Sequence, residues 1–283
     1  GPAVITLDEA GLWTDGRYFV QAENQLKDST VTLYRMGEEG VPTVDEFVKD
    51  RLKEGGCLGF DGRVVNGTWG GRLEKIAAEK NVSMHVTEDL IDLIWEDRPA
   101  LSKQPLFILE EKYSGKSTAD KIGDLRKAMK ENGADVHILT SLYDIAWLLN
   151  IRGNDIDYVP VVLSYLVLNE TECIWFLQEE VVDDKIRAYL EENHITTKPY
   201  DAIYDYVPEI PADAVVLMNR GTVNYRIVNS LDKAIGNAAC KKRFSSTDIT
   251  PNKKSGSVCF HLFPVTYIIV CQFYFRIDAV IPG

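Results

Sequence analysis

The feature that most constrains this chain is an alternation that starts twice. Short apolar runs of strand character alternate with amphipathic segments of helical period, and the same order begins again about midway. In the first pass, strands are expected at Ala3 to Thr6 and Gly11 to Thr14, followed by a helix from Arg17 to Lys27 and a strand from Val31 to Arg35. A helix over Thr43 to Glu54 follows, with Thr43 and Glu46 spaced as a capping box and Gly55-Gly56 as its stop. Cys57 to Phe60 and Ser83 to Val86 read as strands around a helix from Thr68 to Glu79. The proline-containing stretch Arg98 to Pro105 reads as a linker.

The second pass opens with a helix from Ser117 to Glu131, a strand at Val136 to Thr140 and a helix at Leu142 to Leu149. Strands at Val161 to Leu168 and Glu172 to Leu177, a helix at Val182 to Glu192, and strands near Thr196 to Lys198 and Ala214 to Met218 complete it. The two passes rhyme. Trp13 and Trp175 stand 162 residues apart, and Asp61 and Asn219 stand 158 apart. A duplicated α/β domain is expected, with domains at 1–100 and 101–235 and a separate tail at 236–283. The first copy has no counterpart to Ser117 to Leu149, so it is expected to be N-terminally truncated and to leave a sheet edge open.

Composition narrows the function classes. Forty-three acids against 31 bases give a net charge of −12, which argues against nucleic-acid binding. The bases are concentrated late: from Gly236 onward the chain carries +4, and the first 235 residues carry −16. With no secretion leader, and only Cys57 and Cys173 in the main body, a reducing, cytoplasmic location is expected. The apolar run Val258 to Phe275 includes Pro264 and several polar residues, and is not expected to cross a membrane.

Most tests for chemistry come out negative. His85, His137, His194 and His261 are isolated, no metal-ligand spacing occurs, and none of the residues qualifies as a metal site. Ser114-Gly115-Lys116-Ser117 resembles the end of a phosphate-binding loop, but Glu110 stands where that loop needs glycine; a helix entry is the reading. Neither a dinucleotide fingerprint nor a nucleophile elbow is present.

Two strings remain. In Trp13-Thr14-Asp15-Gly16-Arg17-Tyr18-Phe19, a turn sets Arg17 at a helix start. A cation is a poor match to the positive end of a helix unless it has an anionic partner, so Arg17 reads either as a binding residue or as half of a surface pair with Asp15. In Leu142 to Asp155, Ile145, Leu148 and Leu149 make a core face. There Gly153 reads as the stop, with Arg152 near the helix C-terminus.

At these strings, together with Leu58-Gly59-Phe60-Asp61, Ile94-Trp95-Glu96-Asp97-Arg98-Pro99 and Pro160 to Tyr165, the sequence resembles the N-terminal region of the cytosolic, three-domain type of Xaa-Pro aminopeptidase, in the creatinase/prolidase group. The resemblance runs over roughly residues 1–235 and lapses near Lys233-Ala234-Ile235. It implies two tandem creatinase-N-terminal-like α/β domains with mixed sheets flanked by helices. In the family these precede a catalytic domain holding two metal ions, usually manganese, which hydrolyses the bond before proline in a peptide. It also implies a homodimer, and a substrate-binding role for Arg17. No cofactor, catalytic residue or metal ligand is expected in this chain, which is therefore expected to be inactive alone. The contrasting expectation is a standalone interaction module that pairs with a full-length peptidase subunit. The tail after residue 235 is expected to be a product of a frameshift or gene-model error.

Overall fold

A computed structural model describes residues 1–235. The tail, with His261, three of the cysteines and the apolar run, lies outside the described residues. The chain divides into two units, one covering Gly1–Arg98 and the other beginning at Pro99. Both are α/β, as the alternation predicts, and both have a mixed sheet, as the resemblance implies.

In the first unit, β1 (Ala3–Ile5), β2 (Ala10–Thr14) and β3 (Val31–Arg35) form one sheet. β1 runs antiparallel to β2, and β2 runs parallel to β3. The connection to β3 is a single 3-10 turn at Gly16–Tyr18 and helix α1 (Phe19–Leu26). The helix therefore begins two residues later than periodicity suggests, because Asp15 caps the turn and not the helix. Helix α2 (Val44–Arg51) starts at the expected capping box, with Thr43 Oγ1 accepting from the Glu46 N–H and the Glu46 carboxylate from the Thr43 N–H. It stops at Leu52, before the glycine pair, because the chain turns extended there. β4 (Cys57–Gly59) and β5 (Ser83–His85) pair in parallel and are joined through α3 (Gly67–Glu79).

The core of this unit is centred on Trp13. Its ring stacks on Tyr34 at 4.2 Å and meets Phe47 edge-on at 5.0 Å, and its indole N–H donates to the Pro42 carbonyl at 2.7 Å. Gly11 lies under that stack: a Cβ there would come within 2.6 Å of the Tyr34 ring, so only glycine fits.

The second unit opens with β6 (Phe107–Ile108), a single-turn helix α4 (Glu111–Ser114) and α5 (Thr118–Glu131). β7 (Val136–Leu139), α6 (Leu142–Leu149) and β8 (Ile151–Arg152) follow. Next come β9 (Tyr165–Asn169), β10 (Cys173–Leu177), α7 (Asp184–Glu192) and β11 (Thr196–Pro199). The described part ends with α8 (Ile203–Tyr206), β12 (Val216–Leu217) and α9 (Tyr225–Ile235).

Its main sheet has the order β11-β10-β9-β7-β12. β10 is buried at every position. One face of the sheet packs Leu166, Leu168, Trp175 and Leu177 with residues of α5, α6 and α7. The other packs Ile138, Val167, Ile174 and Phe176 with residues of α8 and α9. A sheet covered on both faces requires near-continuous apolar strands, and β7, β9 and β10 have them. The strand expected from Val161 begins only at Tyr165, because Ser164 turns its hydroxyl onto the Val162 carbonyl and Asp155 takes the Leu163 N–H.

The duplication shows in two matching turns. Asp61 accepts from the N–H of Arg63, and Asn219 accepts from that of Gly221. Five residues beyond each, Asn66 caps α3 through the Trp69 N–H and Asn224 accepts from the Ile227 N–H.

Candidate functional site

Arg17 stands on the 3-10 turn that follows β2. Asp15 accepts from the Arg17 backbone N–H at 3.1 Å and from the guanidinium at two points, Nε at 2.8 Å and Nη2 at 3.0 Å. This is a parallel fork on a carboxylate, made possible by a spacing of two residues across a capped turn. The side chains remain about half-exposed, 60 % for Arg17 and 46 % for Asp15. The hydrogen bond to Arg17 holds the Asp15 carboxyl below its usual range, and the same bond raises the guanidinium. Both groups stay ionised, and the pair presents a planar cation at the surface, oriented by a carboxylate behind it. The guanidinium carbon also lies 5.5 Å from the centre of the Tyr18 ring.

The second string lies in the second unit, and its polar residues serve the fold. Asn150 ends α6 in the left-handed region, at φ +51°, and is buried. Its Oδ1 accepts from Lys121 Nζ at 2.6 Å, and its Nδ2 donates to the Lys116 carbonyl at 2.9 Å. Lys121 is 2 % exposed. Its ammonium also donates to the Trp147 carbonyl at 2.7 Å and sits 4.5 Å from that residue's ring centre. Burial lowers the Lys121 pKa, helped by the nearby cations Arg152 and Lys116. Arg152 donates to the Ala146 and Ile151 carbonyls, as its place after the helix suggests.

Asn150, and not Gly153, is therefore the stop. Glycine at 153 answers a packing demand: a Cβ would lie 2.9 Å from Val162 Cγ2 and 3.1 Å from the Val161 carbonyl oxygen.

A charged cluster joins two of the other strings. Asp61 takes the Arg63 guanidinium at 2.9 Å, and Asp89 takes Arg63 at 3.2 Å and Arg98 at 2.5 Å. Asp89 is nearly buried; burial alone would raise its carboxyl, but the Arg98 hydrogen bond leads the opposing effects and it lies below the usual range. Sequence reading did not foresee this cluster, because 26 residues separate Arg63 from Asp89 and no local spacing betrays the contact.

Among the described residues, no group of three or more His, Cys, Asp or Glu side chains is placed to hold a metal ion. His137 is on β7 with Nδ1 3.0 Å from the Leu217 carbonyl oxygen, and burial lowers its pKa. Ser117 caps α5 through the Asp120 N–H, so the phosphate-loop look-alike is a helix entry. No helix among the described residues is long and apolar enough to cross a membrane.

Comparison with known proteins adds a family to this geometry. A profile of the Creatinase/Prolidase N-terminal domain matches residues 1–94, and a second of the same description matches residues 97–254. A probable Xaa-Pro aminopeptidase P from Coprinopsis cinerea is 35 % identical over 263 residues, covering 92 % of this chain and 40 % of its own length. Aminopeptidase P2 of Arabidopsis thaliana is 35 % identical over 238 residues, 83 % of this chain and 33 % of its own. The crystal structure of X-prolyl aminopeptidase from Caenorhabditis elegans, a cytosolic enzyme with a di-nuclear active site, superposes with a TM-score of 0.77 at 31 % identity. That match covers 86 % of this chain and 40 % of the worm enzyme. The chain thus spans about two fifths of the length of these relatives, or less.

Proposed function

The chain belongs to the Creatinase/Prolidase N-terminal domain family, and from that premise we propose that it is the N-terminal, non-catalytic part of a metal-dependent Xaa-Pro aminopeptidase. The observation that carries this reading is the coincidence of two matches. Nearly the whole chain aligns with fungal and plant aminopeptidases P, yet it aligns with only their first two fifths or less.

In this reading the three parts are a first creatinase-like domain at 1–100, a second at 101–235 and a tail at 236–283. The described residues do not fit a di-nuclear centre, since no cluster of ligating side chains occurs among them. The two metal ions, manganese in this proposal, belong to a catalytic part beyond these two domains, and no step of the hydrolysis is assigned to residues described above. Arg17 is the residue proposed to touch substrate. Its guanidinium, oriented from behind by Asp15, would donate to a carbonyl or carboxylate of a peptide with proline at its second position. The full-length enzyme is proposed to be a cytoplasmic homodimer.

Two experiments test the reading. Purified chain incubated with an Xaa-Pro peptide and manganese is expected to release no N-terminal residue; steady release would overturn the non-catalytic assignment. A chimera joining residues 1–235 to the remainder of the Coprinopsis relative is expected to hydrolyse the same peptide. A folded but inactive chimera would argue against the assignment to this enzyme.

A further inference from the structure

Left-handed backbone singles out one residue of the second unit. Among the described residues, those other than glycine with positive φ are Asp28, Asn81, Asn150, Tyr158 and His194. Asp, Asn and His enter this region at low cost, and tyrosine does not. Tyr158 stands at φ +64° on a tight turn, in which the Val159 N–H donates to the Ile156 carbonyl at 3.0 Å. Of the two central residues, Asp157 and Tyr158, only the second has positive φ, a pattern that calls for glycine or asparagine there. Asp155 holds the base of the turn. Its N–H donates to the Val161 carbonyl, and its carboxylate accepts from the Leu163 N–H at 2.8 Å and the Gln104 N–H at 3.4 Å.

No contact within the fold repays this strain. Tyr158 is fully exposed, and it makes no hydrogen bond or ring contact among the described residues. Asp157 beside it is exposed as well, with no ion-pair partner among the described residues. A strained residue that the surrounding chain enforces, and that packs on nothing, points to a role outside the unit.

Other exposed rings of this chain show what such a ring takes. Arg17 lies over Tyr18 at 5.5 Å, Lys112 over Tyr113 at 4.8 Å and Lys121 over Trp147 at 4.5 Å. Tyr158 has a carboxylate beside it in the chain and no cation of its own among the described residues. The charge around it is of the right sign to attract one, since the first 235 residues carry −16. We propose that the Asp157–Tyr158 turn is a docking site for an arginine of a basic partner peptide. The guanidinium would stack on the ring and pair with the carboxylate. Because Asp155 already fixes the turn, both groups are presented with little ordering left to do on binding.

An NMR titration of the full chain with acetyl-Ala-Arg-Ala-amide tests this, with acetyl-Ala-Gln-Ala-amide as the neutral control. The arginine peptide is expected to shift the Tyr158 ring resonances saturably, and the glutamine peptide to leave them in place. Followed at the Val159 amide, Tyr158→Gly should weaken binding by roughly 2- to 5-fold, the worth of an exposed cation–ring contact, and Tyr158→Phe should retain it. Asp157→Asn should weaken it too. Tyr158→Gly should also raise the urea midpoint, because glycine accepts the left-handed φ. An unchanged or lower midpoint would mean that the turn is not strained, and would overturn the proposal. So would the absence of a shift with the arginine peptide, or equal shifts at Tyr143, an exposed ring on an ordinary helix. If a variant fails to fold, the unmodified chain still decides: a response to arginine and not to glutamine supports the site, and equal responses refute it.

Discussion

Replacing Lys121 by methionine tests how the second unit is held together. The side chains have similar length and volume, so the change removes the ammonium while leaving the stem packed. Two opposed effects decide the outcome. Burying an ammonium costs several kcal/mol, and methionine relieves that cost. Against this, the ammonium makes two short hydrogen bonds and a contact with the Trp147 ring, and these are lost. Hydrogen bonds to a charged group contribute about 1.5–3 kcal/mol each, and the orphaned Asn150 and Trp147 oxygens keep their desolvation penalty. No carboxylate is needed to satisfy this cation; two oxygens and a π face already surround it. Loss should win, and Lys121→Met is expected to destabilise the protein by about 2–3 kcal/mol in urea unfolding. The partner variant Asn150→Gly suits the left-handed φ of +51° and removes one acceptor. The double-mutant cycle should return a coupling of about 1–2 kcal/mol. A Lys121→Met variant as stable as the parent, or a coupling near zero, would refute the view that this lysine ties α5 to the end of α6.

Three further outcomes are expected. In a chimera carrying a catalytic part, Arg17→Ala should lower kcat/KM by roughly 10- to 100-fold, mainly through KM, since a contact made equally in ground and transition states acts on binding; unchanged kinetics would remove Arg17 from the substrate site. His137 is held below its ordinary pKa by burial, which outweighs the Leu217 carbonyl and Asp144, so the unfolded chain binds its proton more readily. Stability should be fully present above about pH 6.5 and fall as pH drops toward the lowered folded value, a slope that His137→Gln should reduce when urea midpoints are compared at pH 7.5 and 5.5. Cys173 is buried with its thiol pushed up to about 12, whereas Cys57 is exposed; peptide mapping after iodoacetamide treatment should find Cys57 alkylated in the native protein and Cys173 only after unfolding.

Legibility from sequence followed the range of the interactions. The bounds of α6 and β3 were readable to the residue, because each follows a short apolar pattern, although the stop of α6 fell to Asn150 and not to the expected Gly153. The capping box of α2 was readable from the spacing of Thr43 and Glu46. β6 and β8, two residues each, were not: they pair with one another across more than forty positions, and neither carries enough apolar pattern to announce itself. α9 is strongly amphipathic, yet it is absent from the expected elements. At the candidate site, the Asp15–Arg17 pair followed from spacing alone, but the ligand expected of Arg17 came only from the resemblance. The salt cluster around Asp89 is a tertiary fact that no local rule encodes.

The two copies show which of these constraints persisted after duplication and which were free to change. Interactions directed at the backbone recur: the Asp61 and Asn219 turns, and the Asn66 and Asn224 helix entries, keep the same donor positions despite changed side chains. Those contacts are set by chain geometry, and any carbonyl oxygen of suitable reach satisfies them. Contacts between side chains diverge. Trp13 donates its indole N–H to Pro42, while Trp175, at the matching place, has a buried indole N–H with no acceptor among the described residues. Asp61 joins an ion cluster through Arg63, whereas Asn219, being uncharged, accepts the Gly221 N–H. The first copy therefore gathers charge around this turn, and its buried tryptophan finds an acceptor where that of the second does not. A function confined to one copy, such as that proposed for Arg17, belongs among the divergent side chains, where the fold places the weakest demands.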